Sequence, residues 1–164
     1  MSNISIDGII TSLEESFMDN GMMFDVSSIS QSDVKEEIGF DPMFKMLNSE
    51  YTKDSKFTVS SDESKFLNDK FYRNHWIMIA YGYRIAFICV DDEGEDILIS
   101  AIEVSEDCRG EGFGKMIVDG IENYAGNNGF ERVVVYPFDT DSKSFWRHIG
   151  YEESEFSNRM YKNV

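Results

Sequence analysis

The sequence is poor in proline, cysteine and histidine, and it contains no long apolar run. Its 164 residues include two prolines, two cysteines and two histidines. Two cysteines without a spaced partner set argue against a disulfide scaffold and favour reduced thiols and a cytoplasmic location. No stretch of about 18 apolar residues could span a bilayer, and no basic segment precedes an apolar N-terminal patch, so we expect neither a membrane span nor a signal peptide. No His or Cys residues have metal-ligand spacing, so no metal is expected.

Basic residues are also scarce. Fifteen Lys and Arg residues face 31 Asp and Glu residues, which gives a formal net charge of -16. Residues 1–100 hold 19 of the acids and 8 of the bases. Such a charge repels phosphates, so a nucleic-acid partner is not expected. It could attract a cationic substrate or a basic protein, or it could serve solubility alone.

The remaining composition, 41% hydrophobic and 14% aromatic, predicts a folded single domain over residues 1–164. Residues 5–19 place apolar side chains on one helical face, and Asn20-Gly21 ends that helix, so residues 1–21 form an additional N-terminal helix. Residues 22–29 suit a short strand. Residues 30–51 suit two helical pieces, 52–61 a loop, and 60–72 a helix. The apolar face of the first helix comprises Ile9, Ile10, Leu13, Phe17 and Met18.

The second half of the chain alternates strands and helices. WIMIAY, RIAFICV and ILISAIEV predict an antiparallel meander, with DDEGED as the turn before its third strand. A helix beginning at Phe113 and ending within residues 126–129 follows. Residues 132–136 predict a buried strand. A short helix is then capped by Asp141 or Ser142 and closed by Gly150, and RMYKNV forms a last strand.

Three alternating glycines stand between the meander and the next helix, in the stretch Arg-Gly-Glu-Gly-Phe-Gly at residues 109–114. The first N–H groups of a helix have no intrahelical partner, and the helix dipole favours negative charge there. Glycines let an anion approach those N–H groups, and Arg109 and Lys115 add positive charge. The stretch therefore predicts a phosphate or pyrophosphate cradle, with an ordinary tight turn as the structural alternative.

Other glycine-rich phosphate loops do not match this spacing. The dinucleotide fingerprint needs a third glycine where this chain has Lys115. A P-loop needs glycine at position 109 and Ser or Thr at position 116, where the chain has Arg109 and Met116. The protein-kinase glycine loop fails on the same spacing, and no H-R-D or D-F-G follows.

The stretch that fits is R-x-x-G-x-G, which resembles the coenzyme A signature of the GNAT superfamily of N-acetyltransferases. Residues 142–151, SKSFWRHIGY, are similar to a second segment of that family, A-x-x-F-Y-x-x-x-G-F, with the spacing shortened by one. The resemblance covers residues 75–162 well, as the coenzyme A-binding core, and the first 70 loosely. It implies an α/β (α+β) fold: a mixed, mostly antiparallel central sheet with helices on both faces, preceded by a helical N-terminal segment.

The resemblance also implies roles for particular residues. Backbone groups at the end of the third meander strand pair with the pantetheine arm, a splay between that strand and residues 132–136 admits it, and the glycine loop holds the pyrophosphate. Core packing alone is an alternative explanation for Phe145, Trp146 and Ile149. The implied acetyl-CoA contacts are Ile102, Glu103, Val104, Arg109, Gly110, Glu111, Gly112, Phe113, Gly114, Lys115, Asp139, Phe145 and Trp146.

The catalytic residues depart from the commonest family pattern. Trp146 stands where many relatives have a tyrosine that acts as the general acid, and Asp139 stands where many have asparagine. An indole N–H cannot serve as that acid. Glu103 is then the candidate base, or alternatively a solvent-facing strand residue, while Tyr136 and Tyr151 are the candidate acids. His148 lies about 200° around the helix from Trp146 and is expected to point elsewhere. Cys108 is expected to be a bystander.

Two functions follow from this resemblance. The first is an acetyltransferase that uses acetyl-CoA on a primary amine such as a polyamine, an aminoglycoside or a lysine of a basic protein, acting as a monomer or homodimer. The second is a catalytically silent relative that binds coenzyme A or acts as an acidic interaction module. The intact glycine loop favours the first, and the missing tyrosine favours the second.

Overall fold

The computed structural model describes residues 4–28, 75–82, 84–105, 108–137 and 140–164. The helices and loop expected between residues 30 and 72 lie outside these ranges. The elements, in chain order, are α1 (Ile6–Asp19), β1 (Asp25–Ser28), β2 (His75–Ala80), β3 (Arg84–Glu93), β4 (Asp96–Val104), α2 (Phe113–Asn127), β5 (Arg132–Val135), α3 (Thr140–His148), β6 (Glu152–Glu153) and β7 (Met160–Asn163).

The described strands form one sheet of seven, in the order β1-β2-β3-β4-β5-β7-β6. Five of its six pairings are antiparallel, and only β4 and β5 run parallel. The mixed, mostly antiparallel sheet predicted from the sequence is confirmed. β5 points the same way as β2 and β4 but ends level with Ile99 of β4. Because Ala86 pairs with both Ile79 and Val104, β2 and β4 end together at one end of the sheet. We call this the loop end, and the opposite end, where β3 turns into β4, the hairpin end.

Strand β4 separates from β5 partway along its length. The parallel pairing joins only four residue pairs, from Asp96 with Arg132 to Ile99 with Val135. On the other side of β4, Cys89 pairs with Ala101 while Val90 pairs with Ile99, so Ser100 is an extra residue in a β-bulge. A bulge bends its strand and sharpens the local twist. Residues 100–104 therefore continue toward the loop end without β5 beside them, where the family resemblance implied a splay.

Helix α1 packs antiparallel on α2 through small residues. A Cβ added to Gly120 would lie 3.1 Å from the Cα of Leu13, so the two backbones approach closely. The Ser12 hydroxyl donates to the Gly120 carbonyl at 2.7 Å, and the Ser16 hydroxyl donates to the Met116 carbonyl at 2.7 Å. The end of α1 is thereby held beside the first turn of α2, at the loop end.

Several boundaries differ from the sequence prediction. Met18 was expected on the buried face of α1 and is 61% exposed, because Ser16 rather than Met18 faces α2. Helix α2 ends at Asn127, within the predicted residues 126–129, but α3 begins at Thr140, ahead of the residues expected to cap it. The β3–β4 turn is only Gly94-Glu95, since Asp91, Asp92 and Glu93 pair with β4. The two-residue strand β6 was not predicted.

Candidate functional site

The glycine loop, residues 109–115, connects the loop end of β4 to α2. Gly110 and Gly112 have φ angles of 84° and 85°, a left-handed conformation that costs glycine nothing and strains other residues. Gly112 is the N-cap of α2, and no side chain makes a capping hydrogen bond there. The first N–H groups of α2 thus lack a side-chain cap, which is the requirement for receiving an anion.

The loop is anchored on both sides. The Arg109 Nε donates to the carbonyl of Val104 at 3.0 Å, which ties the loop to the end of β4. Phe113, the first residue of α2, is 7% exposed, and its ring meets that of Phe24 edge-on at 5.5 Å. Phe24 in turn contacts Phe17 of α1 and Tyr81 after β2. An aromatic cluster from three other segments therefore fixes the start of α2.

Lys115 supplies positive charge in the first turn of the helix. Its ammonium lies 2.8 Å from the Asp119 carboxylate, and its side chain is 61% exposed. The hydrogen bond and the attraction of Asp119 raise the pKa of Lys115, so it stays protonated at neutral pH. Exposure leaves it able to exchange this partner for a phosphate, because an exposed ion pair contributes little.

Phe145 and Trp146 occupy different places. A Cβ added to Gly114 would lie 3.3 Å from Phe145, so Phe145 packs against the first turn of α2. Trp146 is 4% exposed, between the rings of Phe145 and Tyr151 at centroid distances of 5.1 and 4.8 Å. The structure therefore brings Phe145 to the loop and places Trp146 in the core behind it.

The two candidate acids also differ. Tyr151 is 3% exposed, and its hydroxyl lies 3.2 Å from the Glu122 carboxylate, to which it donates. Burial first, and then Glu122, raise the pKa of Tyr151 above its ordinary value. This arrangement does not favour Tyr151 as a proton donor to a ligand. Tyr136 directly follows β5 and is 40% exposed, next to the point where β4 and β5 part, so it is the more accessible of the two candidates.

The remaining predicted residues are placed less completely. Ile102 and Val104 are half-buried at the free end of β4, as a strand that lends its backbone to a ligand requires. The backbone of Glu103 pairs with Phe87, while its side chain and all of Asp139 lie outside the described structure. Glu111 is exposed in the loop, and His148 is exposed at the end of α3.

Sequence reasoning missed a polar network around Glu122. Its carboxylate accepts from Tyr151 and also from Lys162 of β7 at 2.8 Å. These partners lie 29 and 40 residues away along the chain, so no local pattern signals them. Glu122 also borders a cavity of about 330 Å³ whose polar lining, between the end of α1 and α2, includes no residue of the glycine loop. The network joins α2 to the last strand and holds Tyr151 in place.

The acidic residues lie at both ends of the sheet, so they do not all belong to one wall of an acceptor cleft. Residues 91–96 contain five acids and no base, and they form the hairpin end. Nine residues of β4, about 30 Å at the rise of an extended strand, separate them from the glycine loop. The carboxylates of Asp19, Asp25 and Glu111 belong instead to segments at the loop end, and that of Asp119 lies 2.8 Å from Lys115 of the glycine loop. Among the described residues, these acids lie nearer to a ligand there than the hairpin-end group does.

No helix in the described ranges is long and apolar enough to cross a membrane. Among the same residues, no group of three or more His, Cys, Asp or Glu side chains could hold a metal ion.

Comparison with known proteins gives consistent results. Residues 40–151 match the sequence model of the acetyltransferase (GNAT) family. N-alpha-acetyltransferase 80 of Mus musculus is 31% identical over 74 residues, which cover 42% of this chain and only 23% of that protein. The ribosomal-protein-S18-alanine N-acetyltransferase of Escherichia coli is similar in structure, with a TM-score of 0.58 and 13% identity, over 87% of this chain and 94% of that one. A GNAT family acetyltransferase from Elizabethkingia anophelis with acetyl-CoA bound gives a TM-score of 0.60 and 11% identity, over 86% and 98%.

Proposed function

The chain belongs to the acetyltransferase (GNAT) family, and on that premise we propose that it transfers the acetyl group of acetyl-CoA to a primary amine. The observation that carries the proposal is the uncapped start of α2. Two left-handed glycines present its N–H groups beside a strand end that has lost its neighbour. Residues 109–115 would hold the pyrophosphate, Phe145 would pack near it, and the free edge of residues 102–104 would pair with the pantetheine arm.

The reaction is a direct transfer. Acetyl-CoA supplies an acetyl group activated as a thioester. The amine nitrogen forms a bond to the carbonyl carbon, the carbon–sulfur bond breaks, the amine loses a proton to a base, and the coenzyme A thiolate takes up a proton. Glu103 is the proposed base, directly or through water, and Tyr136 the proposed acid. Because a thiol has a pKa of about 8.5, its departure as a thiolate needs only modest help from an acid.

A cationic acceptor is the preferred substrate class. The exposed carboxylates at the loop end attract a protonated amine, and a charge of -16 steers cations over a longer range. One of the similar proteins is named for an alanine of a ribosomal protein, and another is named an N-alpha-acetyltransferase. A protein amine is therefore a candidate acceptor beside polyamines and aminoglycosides. Both described cysteines are buried and form no disulfide, which supports a reducing cytoplasmic setting.

Coenzyme A binding without turnover is the second candidate function. The burial of Trp146 and the engagement of Tyr151 by Glu122 favour it, since neither side chain can then protonate a leaving group at the loop. The two functions share the cradle and differ only in whether thiol is released. Release of free thiol from acetyl-CoA in the presence of a panel of amines distinguishes them.

The cradle itself is tested by Gly112→Asp, with acetyl-CoA affinity measured by calorimetry. An aspartate there adds bulk and negative charge where the pyrophosphate would lie, and we expect no detectable binding. Gly94→Asp is the matched control. Gly94 has a similar φ of 76° and open space around it, and it lies at the hairpin end. Unchanged affinity in Gly112→Asp, or equal loss in both variants, would overturn the proposed cradle.

A further inference from the structure

Phe24 lies in the connection between α1 and β1, and the backbone is held on both sides of it. Before it, the N–H of Met22 donates to the carbonyl of Phe17 at 2.9 Å, which folds the connection back onto the end of α1. Directly after it, Asp25 pairs with Ala80 as the first residue of β1. The helix anchors the connection on one side and the sheet anchors it on the other, so the Phe24 side chain has a defined position.

The Phe24 ring joins the start of α2 to the hydrophobic core. Its centroid lies 4.9 Å from that of Phe17 and 5.5 Å from that of Phe113, and both pairs meet edge to face. Phe17 is 1% exposed and belongs to the core, whereas Phe113 is the first residue of α2. Edge-to-face contact is a favoured arrangement of aromatic rings. Through Phe24, the end of α1 therefore supports the first turn of α2.

The glycine loop has few side chains that could hold it in one conformation. All of residues 109–115 are described, and Phe113 is the only buried residue among them. Glycine loses more conformational freedom on ordering than any other residue, and three of these seven residues are glycines. A loop that must be ordered by its ligand binds that ligand more weakly than a loop that is ordered beforehand. The burial of Phe113 is thus the feature of the loop that can order it before a ligand binds.

The residues that support Phe113 come from outside the part of the chain that resembles the family. The family match begins at residue 40, and Phe17 and Phe24 both precede it. The glycine loop lies within the match, but the aromatic contact that buries its first helical residue does not. The start of α2 therefore depends on a segment that the coenzyme A-binding core, residues 75–162, does not contain.

We propose that Phe24 is a positioning residue for acetyl-CoA. By its contact with Phe113, it holds the first turn of α2 in the conformation that receives the pyrophosphate before the cofactor binds. This rests on the proposed function and extends the cofactor site to the N-terminal segment. Phe24 acts through Phe113 and takes no part in proton transfer. Its contribution should therefore appear in the affinity for acetyl-CoA and in the order of the free loop, and not in kcat at saturating acetyl-CoA.

The first test uses the free protein. The Met116 N–H donates to the carbonyl of Gly112 at 3.1 Å, so its hydrogen exchange reports whether the first turn of α2 is formed. In Phe24→Leu we expect exchange at Met116 to become about tenfold faster, because local opening of that turn becomes easier. Exchange at Tyr124, in the last turn of the same helix, should not change. Exchange followed by NMR gives both rates without any ligand.

The second test measures acetyl-CoA binding by calorimetry. The Kd should rise about tenfold in Phe24→Leu, which corresponds to about 1.4 kcal/mol, while kcat at saturating acetyl-CoA stays unchanged. Phe130→Leu is the matched control. Phe130 is 7% exposed, as Phe113 is, and its ring lies 6.3 Å from that of Tyr124 near the other end of α2. This control should lower the free energy of unfolding but leave the Kd and the exchange at Met116 unchanged.

Two further variants keep the proposal testable. If Phe24→Leu does not fold, Phe24→Met replaces it, and its Kd should rise about threefold, because a thioether retains part of the contact with aromatic rings. Phe113→Leu, alone and combined with Phe24→Leu, tests whether Phe24 acts through Phe113. The double variant should bind acetyl-CoA about as weakly as Phe113→Leu alone, because the contact is already lost in the single variant.

Three results would overturn the proposal. The first is unchanged acetyl-CoA affinity in a folded Phe24 variant. The second is an equal loss of affinity in Phe130→Leu, which would show a general effect of stability. The third is a double variant whose loss of affinity equals the product of the two single losses, since Phe24 would then act independently of Phe113. Absence of acetyl-CoA binding in the parent protein would instead contradict the proposed function, whereas exchange at Met116 in the free protein would still test the contact.

Discussion

The two ends of the sheet have opposite constructions. At the hairpin end, the Asp96 side chain is 7% exposed and accepts two hydrogen bonds from Arg132, at 2.9 and 3.0 Å, and one from Arg159. At the loop end, left-handed glycines precede an uncapped helix, β4 has lost its neighbour, and apolar side chains are exposed. One end satisfies its polar groups internally, and the other leaves them available to a ligand. Substitutions at the two ends should therefore affect different measurements.

The largest effect is expected for Glu103→Gln at the loop end. Loss of a general base typically costs about 10²-fold or more in turnover, close to 2.7 kcal/mol of transition-state free energy. Steady-state kcat, measured after calorimetry confirms acetyl-CoA binding, tests it. Trp146→Phe is the control and should keep most of the turnover, because a buried aromatic wall is preserved. Normal turnover in Glu103→Gln together with loss of turnover in Trp146→Phe would contradict the assignment of Glu103 as the base.

Asp96→Asn should have the largest effect at the hairpin end. Breaking a buried ion pair costs 3–5 kcal/mol, but Arg132 and Arg159 are 38% and 24% exposed, so water offsets part of the loss. We expect the free energy of unfolding to fall by about 2 kcal/mol, measured by urea denaturation, with unchanged acetyl-CoA affinity. Glu95→Gln, which removes a charge from the exposed turn, should leave both unchanged. A drop in cofactor affinity in Asp96→Asn would show that the two ends are coupled.

Tyr136→Phe and Tyr151→Phe make the same substitution at an exposed and at a buried tyrosine. We expect Tyr136→Phe to lower kcat about tenfold, about 1.4 kcal/mol, the modest effect that a good leaving group allows. Tyr151→Phe should keep kcat and reduce stability by about 1 kcal/mol, because the bond to Glu122 is lost. The paired kcat and urea measurements would contradict this assignment if Tyr151→Phe were the inactive variant.

Features encoded locally could be predicted from the sequence. Apolar periodicity indicated α1 and α2, alternating strands indicated the meander, and spacing alone identified the glycine loop. The family resemblance added the splay, which the structure shows as the end of β4–β5 pairing at Ile99. These features depend on residues within one or two turns of each other, and short-range chemistry determines them.

Features that depend on distant partners could not be predicted. Ser12 and Gly120 are 108 residues apart, and neither residue type indicates a helix–helix contact by itself. For that reason Met18 was wrongly assigned to the buried face of α1 and the contribution of Ser16 was missed. The hydrogen bond of Tyr151 could not be anticipated either, because its partner Glu122 lies in α2, 29 residues earlier in the chain. The side chains that decide catalysis depend on these long-range contacts, which explains why the cofactor loop was easier to locate than the acid.

A substitution at the α1–α2 contact should have a smaller effect on stability. In Gly120→Ala, the new Cβ would lie 3.0 Å from Leu13 Cδ2 and 3.1 Å from its Cα, so α1 must shift. Overpacking of this kind costs about 1–3 kcal/mol, whereas the better helix propensity of alanine stabilises the helix by nearly 1 kcal/mol. We expect a net loss of about 1 kcal/mol in urea denaturation. Gly126→Ala meets nothing closer than 3.8 Å and should gain stability instead. Equal effects in the two variants would contradict the close approach of the helices.

The smallest effect is expected for Glu93→Gln, through the pH dependence of stability. Burial, and then repulsion by Asp91 and Asp96, raise the pKa of Glu93 above 4.5, although Arg159 opposes the shift. A carboxyl whose pKa is raised on folding binds its proton more tightly in the folded state, so its contribution to stability falls as pH rises from 4.5 through the folded pKa. The glutamine variant lacks this penalty. It should match the parent protein below pH 4.5 and exceed its free energy of unfolding by about 0.3 kcal/mol at pH 7, a value reduced for the partial exposure of the group. Urea denaturation at pH 4 and pH 7 measures the difference, with Glu95→Gln as the control for net charge. A variant less stable than the parent at pH 7 would mean that attraction to Arg159 outweighs burial, and the hairpin end would then depend on Glu93 as well as on Asp96.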